Sequence, residues 1–144
     1  MIHLRWRMIM KKTCAKYASK LIHDGMVVGL GGGTTIQYLI DYVKDKDIQV
    51  VTPSVKTALK AQKEGLPILN TQFVDHIDIA FDGCDEVDSN LNALKSGGGI
   101  HKQEKIIASM ADEYIVLVDE TKFHKTLAFK APVVVEVLPR LIVL

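Results

Sequence analysis

Apolar residues along this chain follow two alternating patterns. Four segments repeat them at the spacing of an amphipathic helix, and six short runs are mostly apolar, as buried strands are. The predicted helices span residues 10–23, 34–43, 53–63 and 102–110, and the predicted strands span 26–30, 48–52, 68–69, 77–81, 114–118 and 133–137. This alternation predicts an open α/β domain with a mostly parallel sheet flanked by helices. Residues 88–99 show neither pattern, and we expect them to form an irregular loop.

Composition and charge limit the size and the partners of the domain. The chain has 144 residues, of which 48% are hydrophobic and 6% aromatic, enough for one ordinary core. We therefore expect a single domain over residues 1–144. The 18 basic and 17 acidic residues nearly cancel, whereas binding to nucleic acid or to an anionic membrane needs a strongly basic surface. A small molecule is the expected partner.

The cysteines and the hydropathy bear on the compartment. Cys14 and Cys84 lie far apart, with no CxxC pair, and predict neither a disulfide framework nor a zinc site. Basic residues interrupt the apolar first segment, and no later apolar run approaches the roughly 20 residues of a membrane span. We expect a cytoplasmic protein with no membrane partner.

A glycine-rich turn, GLGGGTT at residues 29–35, joins a predicted strand to a predicted helix. Free N–H groups and the positive end of the helix dipole at such a turn favour a phosphate or carboxylate. Thr34 replaces the third glycine of a dinucleotide fingerprint, and no lysine follows Gly33 as it does in a P-loop. Both nucleotide-binding interpretations weaken. A tight turn without a ligand is the alternative.

An acidic turn, DGCDEVD at residues 82–88, follows the predicted strand 77–81. Ligands of open α/β sheets bind beyond the carboxyl ends of the strands, where Asp82 and Asp85 are placed to handle hydroxyl protons. One alternative is a solvated surface turn. Another is a divalent-cation site made by Asp82, Asp85, Glu86 and Asp88, although their spacing differs from that of an EF-hand.

A third segment, KSGGGIHKQEK at residues 95–105, places Lys95 before three glycines and Glu104 early on the predicted helix 102–110. Glycines let the backbone approach a ligand closely, so Lys95, Glu104 and the two aspartates would converge. The alternative for Glu104 is a first-turn carboxylate stabilised by the helix dipole. For Lys95 and Lys122 it is a solvated surface charge.

Three other reactive residues have ordinary interpretations. His101 and His124 have no partner visible in the sequence, and we expect both at the surface. Cys84 is more typical of a small packed residue than of a nucleophile, because the neighbouring carboxylates raise the pKa of a thiol.

Taken in order, GLGGGTT, DGCDEVD, KSGGGIHKQEKIIA and VDETK resemble the motifs of the ribose-5-phosphate isomerase A family, over residues 11–138. The resemblance implies a Rossmann-like α/β fold with no metal and no cofactor. It implies an aldose–ketose isomerase of the pentose phosphate pathway, which interconverts ribose 5-phosphate and ribulose 5-phosphate through an enediolate.

The resemblance also implies roles for individual residues. Glu104 would carry the proton, Lys95 would stabilise the oxyanion, and Asp82 and Asp85 would assist ring opening and hydroxyl proton transfer. The implied substrate-binding residues are Gly32, Gly33, Thr34, Thr35, Gly83, Cys84, Ser96, Gly97, Gly98 and Lys122.

Three positions depart from the family pattern. Cys84 stands where alanine is usual, Ser96 where glycine is usual, and Gln103 where arginine is usual. A serine at a positive φ costs about 1 kcal/mol or more, so Ser96 is strained if that position requires positive φ.

Length is a further departure, because the family usually continues into a small α+β subdomain, which we expect to be missing here. We expect a truncated chain whose exposed apolar edge self-associates into a homo-oligomer. A sugar-phosphate-binding module without turnover and an inactive fragment are the alternatives to an active isomerase.

Overall fold

The structure is a computed structural model that describes residues 2–95 and 97–135, with side chains described from residue 9 onward. The helices are α1 (Ile2–Ala18), α2 (Thr34–Val43), α3 (Val55–Lys63) and α4 (His101–Met110). The strands are β1 (Val27–Leu30), β2 (Gln49–Val51), β3 (Ile68–Leu69), β4 (Ile77–Asp82), β5 (Glu86–Asp88), β6 (Ala93–Leu94), β7 (Ala111–Val116) and β8 (Phe123–His124). Short 3-10 turns lie at Ser19–Leu21, Thr71–Phe73 and Glu120–Lys122.

Five strands form a parallel sheet in the order β3-β2-β1-β4-β7. The chain winds outward from β1 towards one edge and from β4 towards the other, so the winding reverses between these two neighbours. A crevice forms at such a reversal, outside the carboxyl ends of the strands. In this chain that place lies between the end of β1 at Leu30 and the end of β4 at Asp82.

Helices cover both faces of this sheet. On one face, Leu39 of α2 shares a buried cluster with Leu30 and Phe81 of the strands and with residues of α1. On the other face, Ile107 of α4 packs in a second cluster with Ala80. Phe81 and Ala80 are successive residues of β4, so their side chains leave the sheet in opposite directions.

A second, small sheet has the order β6-β5-β8, in which β5 pairs antiparallel with β6 and parallel with β8. Each of its strands borders one of the predicted functional segments. β5 forms the last three residues of the acidic turn, β6 ends just before Lys95, and β8 begins just after Lys122. The small sheet therefore brings these segments to one end of the parallel sheet.

The predicted fold class is confirmed, and two helices lie where the sequence places them. The prediction 34–43 coincides with α2, and 102–110 with α4. The first helix begins earlier than predicted, at Ile2, and its α-helical part ends at Ala18. The strand predicted at 114–118 is β7, Ala111–Val116. The single-domain assignment over residues 1–144 stays a prediction.

The prediction of an irregular loop over residues 88–99 is partly wrong. Asp88 ends β5, and β6 follows at Ala93–Leu94. A tight turn joins them: the Asp88 carboxylate accepts the N–H groups of Asn90 and Asn92, and Leu91 adopts a φ of 64°. Hydrogen bonds accepted by one aspartate carboxylate, rather than an apolar pattern, fix the turn of this hairpin.

The predicted strand at 133–137 is wrong over residues 133–135, where the chain forms no strand. Residues 136 and 137 lie outside the described residues. Val133 and Val135 are 65% and 71% exposed, so their side chains pack against little of the described chain. β-branched residues favour a strand only where a ladder and a packing surface are supplied.

The described residues contain no helix that is both long and apolar enough to cross a membrane.

We expect Gly29→Ala to lower the free energy of unfolding by about 1–3 kcal/mol, as overpacking of a core does. A Cβ on Gly29 would lie 2.7 Å from the Ala80 Cβ and 2.8 Å from the Ile107 Cγ2, between β1, β4 and α4. Gly32→Ala is the matched control, because a Cβ there meets nothing nearer than 3.8 Å. Urea unfolding measures both variants. Equal stability of the two would contradict the packing between α4 and the sheet.

Candidate functional site

The glycine turn after β1 lets the chain pass directly over Asp82. The Gly31 N–H donates to the Phe81 carbonyl at 2.8 Å, and a Cβ on Gly31 would lie 2.0 Å from the Asp82 Oδ1. No residue with a side chain fits there without displacing the carboxylate. Gly33 has a φ of 92° and forms the N-cap of α2.

The same turn is held from α3 by a buried hydroxyl. The Thr57 hydroxyl donates to the Gly31 carbonyl at 2.8 Å and accepts from the Gln37 amide at 3.3 Å. Thr57 itself is fully buried. The position of the glycine turn is thus set by α2 and α3 together.

Asp82 ends β4 with only 4% of its surface exposed. Its Oδ1 accepts the Gly83 N–H at 2.7 Å, and its Oδ2 accepts the Lys95 ammonium at 2.8 Å. The Tyr114 hydroxyl of β7 donates to the same Oδ2 at 3.4 Å. A buried carboxylate with these donors is held in one orientation.

Lys95 links Asp82 to Glu104. Its ammonium lies 3.3 Å from the Glu104 Oε2 and also donates to the Gly83 carbonyl. Glu104 lies in the first turn of α4 and is 6% exposed. The helix-dipole interpretation is therefore incomplete, since the carboxylate is buried and paired rather than solvated.

Burial raises the pKa of Glu104, and the nearby negative charge of Asp82 raises it further. Lys95 opposes both effects but does not cancel them. A carboxylate whose pKa is raised towards neutrality is suited to take up and return a proton. Burial and Asp82 also raise the pKa of Tyr114, so its hydroxyl stays protonated and remains a donor.

Asp85 ties the acidic turn to the second glycine segment. Its N–H donates to the Leu94 carbonyl at 2.8 Å, and its Oδ2 accepts the Gly97 N–H at 3.0 Å. Lys122 reaches the same turn, where its ammonium donates to the Cys84 carbonyl at 2.6 Å. Lys95 and Lys122 are half-buried and hydrogen-bonded, so neither is the solvated surface charge of the alternative interpretation.

These groups surround a cleft of about 520 Å³, which we call the acidic cleft. The predicted residues that line it are Gly32, Gly33, Asp82, Gly83, Cys84, Asp85, Lys95, Gly97, Gly98, Glu104 and Lys122. Ser96 lies outside the described residues, so the strain expected there stays a prediction.

Thr34 and Thr35 instead line a neighbouring cleft of about 380 Å³, which Lys11 and Lys122 border together with Asp119 and Glu120; we call it the basic cleft after its two lysines. The two clefts share Gly32, Gly33, Gly83 and Lys122. Sequence reasoning missed Lys11, which lies in a helix with no motif around it. It also missed Tyr114, because a tyrosine in a predicted strand is usually assigned to the core.

For Cys84, His101 and His124 the sequence analysis expected no functional role, and the structure agrees with the expected burial only for Cys84. Cys84 is buried, as predicted, and its thiol pKa is raised, but burial is the main cause and the nearby lysines oppose it. His101 and His124 are half-buried rather than at the surface, and the His101 Nδ1 is buried with no hydrogen-bond partner among the described residues.

The divalent-cation interpretation of the acidic turn requires its carboxylates to point to one place, and they do not. Glu86 accepts backbone N–H groups of residues 128–131, and Asp88 accepts those of Asn90 and Asn92. Neither carboxylate therefore joins Asp82 and Asp85. Within residues 9–95 and 97–135, no group of three or more His, Cys, Asp or Glu side chains is placed to hold a metal ion.

The fold and site define a class: a doubly wound α/β domain with paired carboxylates and a lysine where its winding reverses. Comparison with known proteins narrows that class. Residues 49–143 match the family model of ribose 5-phosphate isomerase A (phosphoriboisomerase A). A second model, the DeoR C terminal sensor domain, matches residues 7–71. The chain belongs to the ribose-5-phosphate isomerase A family.

Individual relatives agree with this assignment. Ribose-5-phosphate isomerase A of Prochlorococcus marinus is 45% identical over 90% of this chain and 58% of its own length. Ribose-5-phosphate isomerase A of Pyrococcus furiosus is 46% identical over 90% of this chain and 60% of its own length. A solved D-ribose-5-phosphate isomerase in complex with phospho-erythronic acid matches with a TM-score of 0.81 and 44% identity, over 85% of this chain and 57% of that one. The chain thus spans about three fifths of the length of the relatives it matches.

We expect the stability of Glu104→Gln relative to the wild type to rise as the pH increases above about 4.5, the ordinary pKa of a glutamate. The raised pKa means that folded Glu104 holds a proton that the unfolded chain has already released, so wild-type stability falls as pH rises through that pKa. Glutamine does not titrate. Urea unfolding across this pH range measures the difference. Glu113→Gln, at an exposed glutamate of β7, is the control for the loss of one carboxylate. A difference for Glu104→Gln that shrinks with rising pH would contradict the raised pKa.

Proposed function

We propose that this chain is an aldose–ketose isomerase that interconverts ribose 5-phosphate and ribulose 5-phosphate. The observation that carries the proposal is the buried group of Glu104, Lys95 and Asp82 at the acidic cleft. It combines a carboxylate of raised pKa with a cation 3.3 Å away. Isomerisation of a sugar phosphate needs both a proton carrier and a site for a developing negative charge.

Glu104 is the proposed proton carrier. It removes the proton from the carbon beside the carbonyl and returns it to the neighbouring carbon, so that an enediolate forms and collapses. Lys95 lies against Glu104 and is the group available to stabilise the oxyanion while the proton is on the glutamate.

Asp82 and Asp85 are the proposed groups for the hydroxyl protons. Both border the acidic cleft, and both are held by backbone N–H groups, Asp82 by Gly83 and Asp85 by Gly97. Carboxylates fixed in this way accept a proton during ring opening and pass it on without reorienting.

The basic cleft is the proposed phosphate site. Thr34 and Thr35 start α2, where unpaired N–H groups and the helix dipole attract an anion. Lys11 and Lys122 supply positive charge on the same lining. Asp119 and Glu120 border the cleft too, and the Asp119 Oδ1 already accepts the N–H of Thr121 at 3.1 Å as well as the Thr121 hydroxyl. A phosphate held here leaves the reactive end of a pentose in the acidic cleft, because the two clefts share a wall.

A sugar-phosphate-binding module without turnover is the second candidate. The match of residues 7–71 to the DeoR C terminal sensor domain favours it, since those residues include the glycine turn and α2 but not the acidic turn or Glu104. It differs from the isomerase in one measurable respect: it binds ribose 5-phosphate and does not convert it. An inactive fragment would do neither. Self-association and a cytoplasmic location also stay predictions.

We expect Glu104→Gln to lower kcat for ribose 5-phosphate by about 10²- to 10⁴-fold, the usual contribution of a general base. Glutamine keeps the shape of the side chain and loses the ability to carry a proton. The reaction is run in deuterated water. NMR measures the rate from the formation of ribulose 5-phosphate and from the loss of the C2 proton signal.

Glu113→Gln is the matched control for this experiment, because it removes an exposed carboxylate of β7 and should leave the rate unchanged. Equal rates for wild type and Glu104→Gln would remove Glu104 from the mechanism. A rate abolished by a chelator would revive the divalent-cation interpretation.

We expect Lys122→Met to raise KM for ribose 5-phosphate by about tenfold or more while kcat changes less, since loss of a charged hydrogen bond costs about 1.5–3 kcal/mol. Methionine keeps the length of the side chain without its charge. Steady-state kinetics separate the two parameters. Lys125→Met, three residues along and exposed, is the control. An unchanged KM for Lys122→Met would remove this lysine from the phosphate site.

A further inference from the structure

Glu86 is a buried carboxylate that the proposed chemistry does not use. It begins β5, is 3% exposed, and points away from the acidic cleft. Its Oε2 accepts the N–H groups of Ala128 and Phe129 at 2.8 and 2.9 Å. Its Oε1 accepts those of Lys130 and Ala131 at 2.5 and 3.0 Å. One side chain thus holds the main chain of residues 128–131.

The number of donors makes this carboxylate unusual. Burial by itself raises the pKa of Glu86, yet the four N–H groups together bring that pKa below its ordinary value. The group is therefore charged when the protein is folded. A segment bound through four charge-assisted hydrogen bonds is held much more firmly than an ordinary surface loop.

Asp88 adds to the same attachment. It lies two residues further along β5, so its side chain leaves the strand on the same side as that of Glu86. Besides its own turn, its carboxylate accepts the N–H of Leu127. Ser89 donates to the Lys125 carbonyl at 2.9 Å. From residue 125 to 131 the chain is therefore fastened to β5 and the turn that follows it.

The fastened segment continues directly from Lys122. β8 is only two residues long and pairs with β5 through Val87–Phe123 and Asp88–His124. So short a ladder is weak on its own. Without the attachment at residues 125–131, little would fix the end of β8, and the side chain that precedes it would lose its place beside the Cys84 carbonyl.

We propose that Glu86 is a positioning residue for Lys122: by binding the main chain of residues 128–131 it holds β8 against β5 and keeps the Lys122 ammonium at the wall shared by the two clefts. Its bearing on catalysis rests on the proposed isomerase function, whereas its effect on the place of Lys122 does not. The backbone groups that the Glu86 carboxylate binds, those of residues 128–131, are not assigned to the reaction.

Differential lysine labelling tests the position of Lys122 without any assay of activity. An amine-acylating reagent is applied to the whole protein, and mass spectrometry gives the labelling rate of Lys122 relative to the exposed Lys125 of the same segment. In Glu86→Gln the amide still accepts hydrogen bonds at one atom but donates at the other, so two of the four attachments are lost. We expect the Lys122 to Lys125 ratio to rise at least roughly threefold, as local opening becomes more frequent.

Asp78→Asn is the matched control. Asp78 is a carboxylate that accepts one backbone N–H, that of Val27 at 2.7 Å, and it lies near the start of β4, away from the clefts. Its loss should weaken the fold without changing the labelling ratio. An unchanged ratio in Glu86→Gln, or an equal rise in Asp78→Asn, would overturn the proposal. If Glu86→Gln does not fold, Ser89→Ala removes an exposed attachment of the same segment and should raise the ratio to a smaller extent.

Kinetics of the same variants test the link to substrate binding. A displaced Lys122 should raise KM for ribose 5-phosphate about five- to tenfold in Glu86→Gln with kcat within about threefold, because Glu104 and Lys95 do not move. A general structural defect would lower kcat as well. A raised labelling ratio with an unchanged KM would overturn the proposed effect on binding. A wild type without turnover would refute the isomerase, while the labelling ratio would still decide the role of Glu86.

Discussion

The close approach of three charges in a buried place is the constraint on which the rest of the site depends. Asp82 and Glu104 are both more than nine-tenths buried, and Lys95 lies between them. One lysine neutralises one carboxylate. The remaining negative charge is costly in a poorly solvated position, and the simplest relief is a proton, so the pKa of Glu104 rises. The capacity to exchange a proton therefore follows from burial and from the count of charges.

Two buried glutamates, Glu86 and Glu104, show how local donors reverse the effect of burial on a carboxylate pKa. Glu86 and Glu104 are almost equally buried, and burial is the largest single influence on each pKa. Glu86 faces four N–H groups and its pKa falls, whereas Glu104 faces another carboxylate and its pKa rises. The first glutamate is fixed as an anion that binds main chain, and the second is left able to titrate.

Much of this arrangement is visible in the sequence, because periodicity predicts the elements and parallel topology predicts where their ends meet. The proximity of Asp82 and Glu104 is predictable from the sequence, since Asp82 ends a strand and Glu104 begins the helix that leads to the neighbouring strand. The attachment of residues 128–131 to Glu86 is not predictable in this way, because it uses backbone N–H groups, which every residue except proline has. The failed strand at 133–135 has the same cause: valines predict a ladder, but only tertiary structure supplies a partner. Lys11 was missed because a lone lysine in a helix carries no signal of what it faces.

The carboxylates of residues 82–88 have two different structural roles. Asp82 and Asp85 lie at the end of β4 and in the turn after it, and they border the cleft. Glu86 and Asp88 are on the next strand, and their side chains share the side that faces residues 127–131. Four carboxylates within seven residues are typical of a cation site, but the change from turn to strand directs two of them to the cleft and two to residues 127–131. The charges that act on the pKa of Glu104 belong to Asp82, which raises it, and to Lys95, which lowers it, and burial raises it more than either.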